Sequence, residues 1–196
     1  RSAVVLEGLY AQGHEVRIAV SGRAADYLEA RYPEAVIRIT GLSLVYRDNM
    51  VSITRSALQN LRSVTGLPGN FRRYLETARN FHPDVVISDF ESWTYWFARG
   101  QRIPVISVDN MQIISRCRHD QEVVYADLRS FLLAKSIVRG KLPACNAYLV
   151  TSFFYPPLKR DRTTLHPPIL RDAVLRRRTS ATVGDHVLVY VLLSGW

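Results

Sequence analysis

Two short runs of aliphatic and β-branched residues, Val85 to Ser88 and Val105 to Val108, flank a helical stretch from Ser92 to Gly100. Neither run alternates apolar with polar residues, which suits strands buried on both faces rather than strands with one face in water. Pro83-Asp84 leads into the first run and Ile103-Pro104 into the second, so each begins at a chain breaker. A strand, helix and strand joined by such short connections can pair only in parallel, through a right-handed crossover. That unit alone predicts an α/β fold with an open, mostly parallel sheet and helices on both faces.

The flanking sequence repeats the theme. Val5, Leu6, Leu9 and Tyr10 recur at helical spacing from Ser2 to Gln12, and Gly13 follows as a stop. His14 to Val20 alternates and runs into Ser21-Gly22, Arg23 to Arg31 reads as a helix, and Ala35 to Ile39 reads as a short strand. Residues 50 to 66 place Ile53, Ala57, Leu58, Leu61 and Val64 on one helical face. Leu67-Pro68-Gly69 then breaks the chain, and Asn70 is predicted to cap a helix reaching Phe81. Further on, the pattern predicts one long amphipathic helix over Gln121 to Arg139 and a strand over Ala147 to Thr151. Residues 153 to 182, with Pro156, Pro157, Pro167 and Pro168 among many charges, have linker composition, and Val187 to Leu193 reads as one more strand.

Charge narrows the function classes. The 196 residues carry 26 Lys+Arg against 17 Asp+Glu, a net +9. Residues 1 to 150 hold net +5, and residues 151 to 182 alone hold another +5, so the excess is densest in the linker-like stretch. Nucleic-acid modules interleave basic residues with exposed aromatics or line them along one helix, and Arg176-Arg177-Arg178 does neither. A nucleic-acid partner is therefore not expected. Cys117 and Cys145 are the only cysteines, too few for a disulfide framework and without metal-ligand spacing, which fits a reducing compartment and no bound metal. The longest apolar stretches fall short of the ~20 residues needed to span a bilayer.

In an open parallel sheet, ligands bind beyond the carboxyl ends of the strands. Two such ends carry hydrogen-bonding groups. After the first run comes Ser88-Asp89-Phe90-Glu91, and after the second Val108-Asp109-Asn110-Met111-Gln112. Asp89 and Glu91 can serve as caps for the following helix or can orient a base and bind hydroxyls. Asp109 and Asn110 can form an ordinary turn or join the same site.

The segments GLYAQGHEVRIAVSG, HPDVVISDFESWTYWFARGQRIPVISVDN, VTSFF and HVLVYVLLSG together resemble the N-terminal domain of GT-B glycosyltransferases. The likeness is to the group similar to the N-acetylglucosamine transferase of peptidoglycan synthesis and to teichoic acid biosynthesis proteins. The resemblance implies a Rossmann-like acceptor domain over residues 1 to 152, an interdomain linker over 153 to 182, and the first strand of a donor domain over 183 to 196. It implies transfer of a hexosyl or N-acetylhexosaminyl group from a nucleotide-sugar to a lipid-linked or cell-envelope acceptor, with neither metal nor cofactor. Asp89 would be the catalytic carboxylate, orienting a histidine on a loop expected before Arg1. Arg1 and Ser2 would be the last residues of that loop's glycine-rich turn. Glu91, Asp109, Asn110 and Gln112 would bind the acceptor. The donor site would lie in a C-terminal domain, leaving these 196 residues inert by themselves. None of His14, His82, His119, His166 and His186 occupies the place of the expected base. The family also implies a cytoplasmic protein, with the basic and apolar helices from Met50 to Phe81 as a docking face for anionic membrane. Two other readings share the residues: a sugar-nucleotide epimerase of the same architecture, and a non-catalytic basic binding domain.

Overall fold

The computed structural model describes residues 1–41, 46–47, 50–51 and 67–177. Its centre is the anticipated strand, helix and strand unit. β5 (Val86–Ser88) and β6 (Val105–Asp109) pair in parallel, with Val86 opposite Val105 and Ser88 opposite Ser107. The helix between them, α4 (Ser92–Gln101), begins at Glu91 and ends where Arg102 takes a left-handed φ of 59°. β7 (Ala147–Thr151) and β8 (Thr163–His166) extend the same parallel sheet in the order β5-β6-β7-β8. A second parallel pair joins β1 (Ile18–Val20) to β2 (Val36–Arg38), flanked by α1 (Ser2–Ala11) and α2 (Arg23–Arg31). β3 (Tyr46–Arg47) and β4 (Met50–Val51) form a small antiparallel pair. The Rossmann-like α/β architecture expected from the sequence is the one observed.

Two apolar clusters carry the packing. The larger gathers Val86, Tyr95, Phe97, Ala98, Val105, Leu142, Cys145, Tyr148 and Val150 between the four-stranded sheet and its helices. Each ring or branched side chain so buried contributes about 1.5–3 kcal/mol relative to exposure. The smaller joins Ile18, Leu28 and Ala35 beneath the first strand pair. Helix α3 (Leu67–Asn80) binds to the chain leaving β2: Asn70 Nδ2 donates to the Thr40 carbonyl and Asn70 Oδ1 accepts from the Thr40 N–H, both at 2.8 Å. Both cysteines are free and buried.

Several local expectations are corrected. Asn70 is not a helix cap, because α3 begins three residues earlier and the buried amide answers a backbone pair across the fold instead. His14 to Arg17 is not strand: pairing starts only at Ile18, and His14, Glu15 and Arg17 are exposed. Met50–Val51 is strand rather than helix, while the rest of that expected helix, residues 52–66, lies outside the described residues. The long helix over Gln121 to Arg139 is two, α6 (Gln121–Ala126) and α7 (Leu128–Lys141). Asp127 divides them with φ −147°, and its carboxylate accepts from Ser130 N at 3.1 Å to cap the second. The stretch 153–182 is not uniformly linker, since it holds β8 and a short helix α8 (Asp172–Arg177). β8 lies at one end of the four-strand order and alternates in exposure, so its sequence lacks the apolar run of an inner strand. The strand expected over Val187 to Leu193 is outside the described residues.

Candidate functional site

Parallel pairing places the carboxyl ends of β5, β6 and β7 side by side, and one side chain spans all three. Arg1 Nε donates to Asp89 Oδ2 at 3.2 Å, and Arg1 Nη2 is ion-paired with Asp89 Oδ1. Nη1 reaches Asn110 Oδ1 at 3.5 Å and Thr151 Oγ1 at 3.4 Å. Ser2 Oγ, in the first turn of α1, donates to Asp89 Oδ2 at 2.5 Å. Asp89 follows β5, Asn110 follows β6 and Thr151 ends β7, so this is the topological position at which such sheets bind ligands. The Asp89 side chain is 31% exposed and that of Arg1 28%, leaving the carboxylate both held and accessible.

The residue after Asp89 is strained. Phe90 has φ 61°, a left-handed conformation that is rare for a bulky side chain. The twist turns the following Glu91 into α4, where Ser88 Oγ donates to the Glu91 carbonyl at 2.9 Å and accepts from the Glu91 N–H at 3.0 Å. Glu91 Oε1 accepts from Trp93 N at 3.1 Å, so the helix-capping role belongs to Glu91 and not to Asp89. Lys141, the last residue of α7, sits with its Nζ 4.4 Å from the Phe90 ring centroid. Burial pulls its pKa below the ordinary lysine value, against the opposing fields of Glu91 and Asp109.

Asp109 is fully buried. Ser107 Oγ donates to its Oδ2 at 2.6 Å, and the Gln112 N–H donates to its Oδ1 at 2.9 Å. Burial raises its pKa above the usual carboxylate range; the two hydrogen bonds oppose the shift, the nearby Asp89 charge adds to it, and Arg1 counters. The Gln112 side chain, also buried, lies in the wall of a cavity whose lining includes none of Asp89, Glu91, Asp109 and Asn110. The structure thus brings together Asp89 and Asn110, sets Glu91 and Asp109 beside them in structural hydrogen bonds, and turns Gln112 elsewhere.

Three residues at this site were not selected from the sequence. Thr151 closes β7, and its hydroxyl carries no sequence signal of its own. Lys141 ends α7 two residues beyond the expected Arg139. Phe90 shows its strain only in the backbone. His119 Nε2 donates to the Ile113 carbonyl at 3.0 Å, and His166 pairs with Thr164 Oγ1 at 2.7 Å. Among the described residues no group of three or more His, Cys, Asp or Glu side chains could hold a metal ion, and no helix is long and apolar enough to cross a membrane.

A Rossmann-like parallel sheet with a polar constellation at its strand ends defines an α/β protein of the class that binds ligands at the carboxyl edge of its sheet. Residues 1–195 match the family described as Glycosyl transferase family 1, and the chain belongs to that family. It is a glycosyltransferase domain, and its chemistry is the transfer of a glycosyl group from a nucleotide-sugar donor to an acceptor. Neither a curated protein nor a solved structure matches the chain.

Proposed function

We propose that this chain supplies the acceptor-binding side of a GT-B glycosyltransferase. In this reading the enzyme moves a hexosyl or N-acetylhexosaminyl group from a nucleotide-sugar to a lipid-linked or cell-envelope acceptor at the inner face of the plasma membrane. Residues 1–152 form the acceptor side, extended by β8, and the peptidoglycan and teichoic acid transferases are the kindred group. The observation that carries the proposal is the convergence of Asp89, Asn110 and Thr151 on Arg1 at three adjacent strand ends.

In the transfer, an acceptor hydroxyl oxygen bonds to the anomeric carbon, the bond from that carbon to the nucleotide's phosphate oxygen breaks, and the hydroxyl proton must leave. Asp89, fixed by Arg1 and Ser2 yet accessible, orients the proton-accepting group or the acceptor hydroxyl itself. Asn110, exposed beside it, offers further hydrogen bonds to a polyhydroxylated acceptor. Developing charge on the leaving diphosphate is met by donors on the nucleotide side, so no metal ion enters the scheme. Directly after Thr151 and Ser152 come Phe153, Phe154 and Tyr155, which are 87%, 62% and 59% exposed. This aromatic run beside the strand-end crevice supports an acceptor with an apolar portion.

The test, on the enzyme that joins this acceptor side to its donor domain, is acceptor-dependent release of nucleoside diphosphate from nucleotide-sugars, with a polyprenyl-phosphate-linked sugar compared against a soluble sugar and with and without a chelator. Chelator-insensitive release that requires the lipid-linked acceptor is the expected result. Turnover with neither acceptor refutes the acceptor assignment, and loss of turnover on chelation refutes the metal-free scheme.

A further inference from the structure

Gln112 divides two environments. Its backbone N–H serves Asp109, while its side chain lies in the wall of a cavity of about 260 Å³ formed by α5 (Ile113–Arg116), the end of α7, β7 and the β7–β8 connection. The Gln112 side chain is 1% exposed, and its Oε1 accepts from Ser115 Oγ at 2.9 Å. Its Nε2 has no hydrogen-bond partner, the sole such buried side-chain nitrogen or oxygen among the described residues. A buried amide that leaves its two N–H groups unmet calls for an acceptor.

The same cavity is lined by Arg116, Arg139 and Arg160, which arrive from three different elements, and by no carboxylate. Arg116 is preset. Its guanidinium carbon lies 3.7 Å from the Tyr148 ring centroid, its Nε donates to Thr163 Oγ1 at 2.8 Å, and its Nη2 donates to the Asp161 carbonyl at 2.6 Å. Neither bond uses Nη1, which keeps two N–H groups. Burial pulls the Arg116 pKa below its ordinary value, and the nearby Arg160 acts in the same direction against Tyr148, Cys145 and Asp161. Three arginines and an unpartnered amide donor lining one cavity make a concave, positively charged surface free of carboxylates.

We propose that this cavity is a phosphate-binding site, taking a phosphomonoester or inorganic phosphate with its oxygens shared among Arg116, Arg139, Arg160 and Gln112 Nε2. A tetrahedral dianion matches three forked cations and an amide better than a planar, singly charged carboxylate does. The site is distinct from the Asp89 crevice and does not depend on the glycosyl-transfer reading.

Isothermal titration with inorganic phosphate at low ionic strength tests it, with phosphatidic acid vesicles as a second arm. Saturable one-site binding of phosphate is expected. Replacing Arg139→Gln with Arg160→Gln should weaken that binding by about tenfold or more, and Gln112→Leu should weaken it by a smaller factor. A charge-matched control, Arg23→Gln with Arg79→Gln, alters two exposed arginines elsewhere and should bind like the parent. Phosphate binding alone identifies a free anion as the ligand. Vesicle binding lost in the same cavity variant identifies a lipid headgroup. If neither probe binds, or if the control loses as much affinity as the cavity variant, the proposal is overturned. Arg139→Lys with Arg160→Lys keeps charge and fold but removes the forks, and intermediate binding is expected of it.

Discussion

Replacing Asp89 by Asn separates a positioning role at the strand-end crevice from a merely structural one, because the two roles predict different magnitudes. Asparagine keeps the shape and can still accept from Ser2 Oγ, but the ion pair to Arg1 is lost. Arg1 retains Asn110 and Thr151 as partners, so no buried charge is stranded. With the pair about three-tenths exposed on both sides, its contribution falls near that of surface ion pairs, about 0–1 kcal/mol. For a domain of this size that corresponds to a Tm change of roughly 2–4 °C at most. If Asp89 orients the group that takes the acceptor proton, turnover should instead fall by about 10²–10⁴, equivalent to roughly 3–5 kcal/mol of transition-state stabilisation. The assay is nucleoside diphosphate release by the enzyme that joins this acceptor side to its donor domain, over a pH series, paired with denaturant unfolding followed by circular dichroism. Expected are a large drop in kcat, a changed pH profile, little change in donor affinity and near-parental stability. Turnover within about threefold of the parent in a folded variant would refute the role, as would a loss confined to donor binding.

Two further outcomes follow from buried polar groups. Tyr148 is 2% exposed, its hydroxyl donates to the Leu142 carbonyl and accepts from Cys145 N, both at 2.9 Å, and burial pushes its pKa up to about 12. Tyr148→Phe leaves both main-chain groups unmet and should cost about 2–4 kcal/mol, read by denaturant titration; a loss under about 0.5 kcal/mol, the range of a neutral surface change, contradicts the pairing. Because burial raises the folded-state pKa of Asp109, the unfolded chain releases this proton first as pH rises. Stability should then decline between the ordinary carboxylate pKa and the raised folded value and stay level above it. Asp109→Asn can keep the bond from the Gln112 N–H and reverse the other, its Nδ2 donating to Ser107 Oγ, and should remove that decline, so unfolding curves of parent and variant that fall in parallel over this window would show that the proton is not bound there.

The sheet was legible because the runs Val85 to Ser88 and Val105 to Val108 are short and aliphatic but for one serine each. Val105 to Val108 needs no partner information to be read as buried on both faces, and the structure buries Val105, Ser107 and Val108 and half-buries Ile106. β8 escaped notice for the opposite reason: Thr163 to His166 sits at one end of the strand order, where one face is wet, and it lies between prolines and charges. Asp127 hid a helix break because the apolar face continues across it, and a capping carboxylate differs from a surface one only in its backbone angles. At the site, position was readable and partnership was not. That Asp89 and Asn110 fall at strand ends follows from the order of elements. That Arg1 reaches both across 88 and 109 residues of sequence is a product of tertiary packing.

The geometry also decides which of the carboxylates at the strand ends is free to meet a substrate. Asp109 has each oxygen engaged, one by Ser107 and one by Gln112, and has no exposed surface. Its raised pKa records a charge held out of water, and reaching a ligand would require dismantling the turn after β6. Glu91 spends one oxygen on the first turn of α4, and its other oxygen lies 3.7 Å from the position a Cβ on Gly41 would take, against the chain leaving β2. A Cβ at Gly41 would also fall 2.3 Å from Ser21 Oγ, so the chain leaving β2 is packed closely against the Ser21 and Glu91 side chains. Asp89 differs from both. Its partners are side chains, Arg1 and Ser2, rather than the amides of its own loop, and side chains can rearrange around an incoming hydroxyl without unmaking secondary structure. Asp109 is thus committed to the turn after β6, whereas Asp89, with partners that can move, is the carboxylate left accessible at the strand ends. Asp109 and Glu91 therefore set the loops on either side of Asp89, and truncation to Ala at the three positions, which removes these hydrogen bonds outright, should separate accordingly, with stability falling at the first two and, if Asp89 orients the acceptor proton's receiver, turnover at the third.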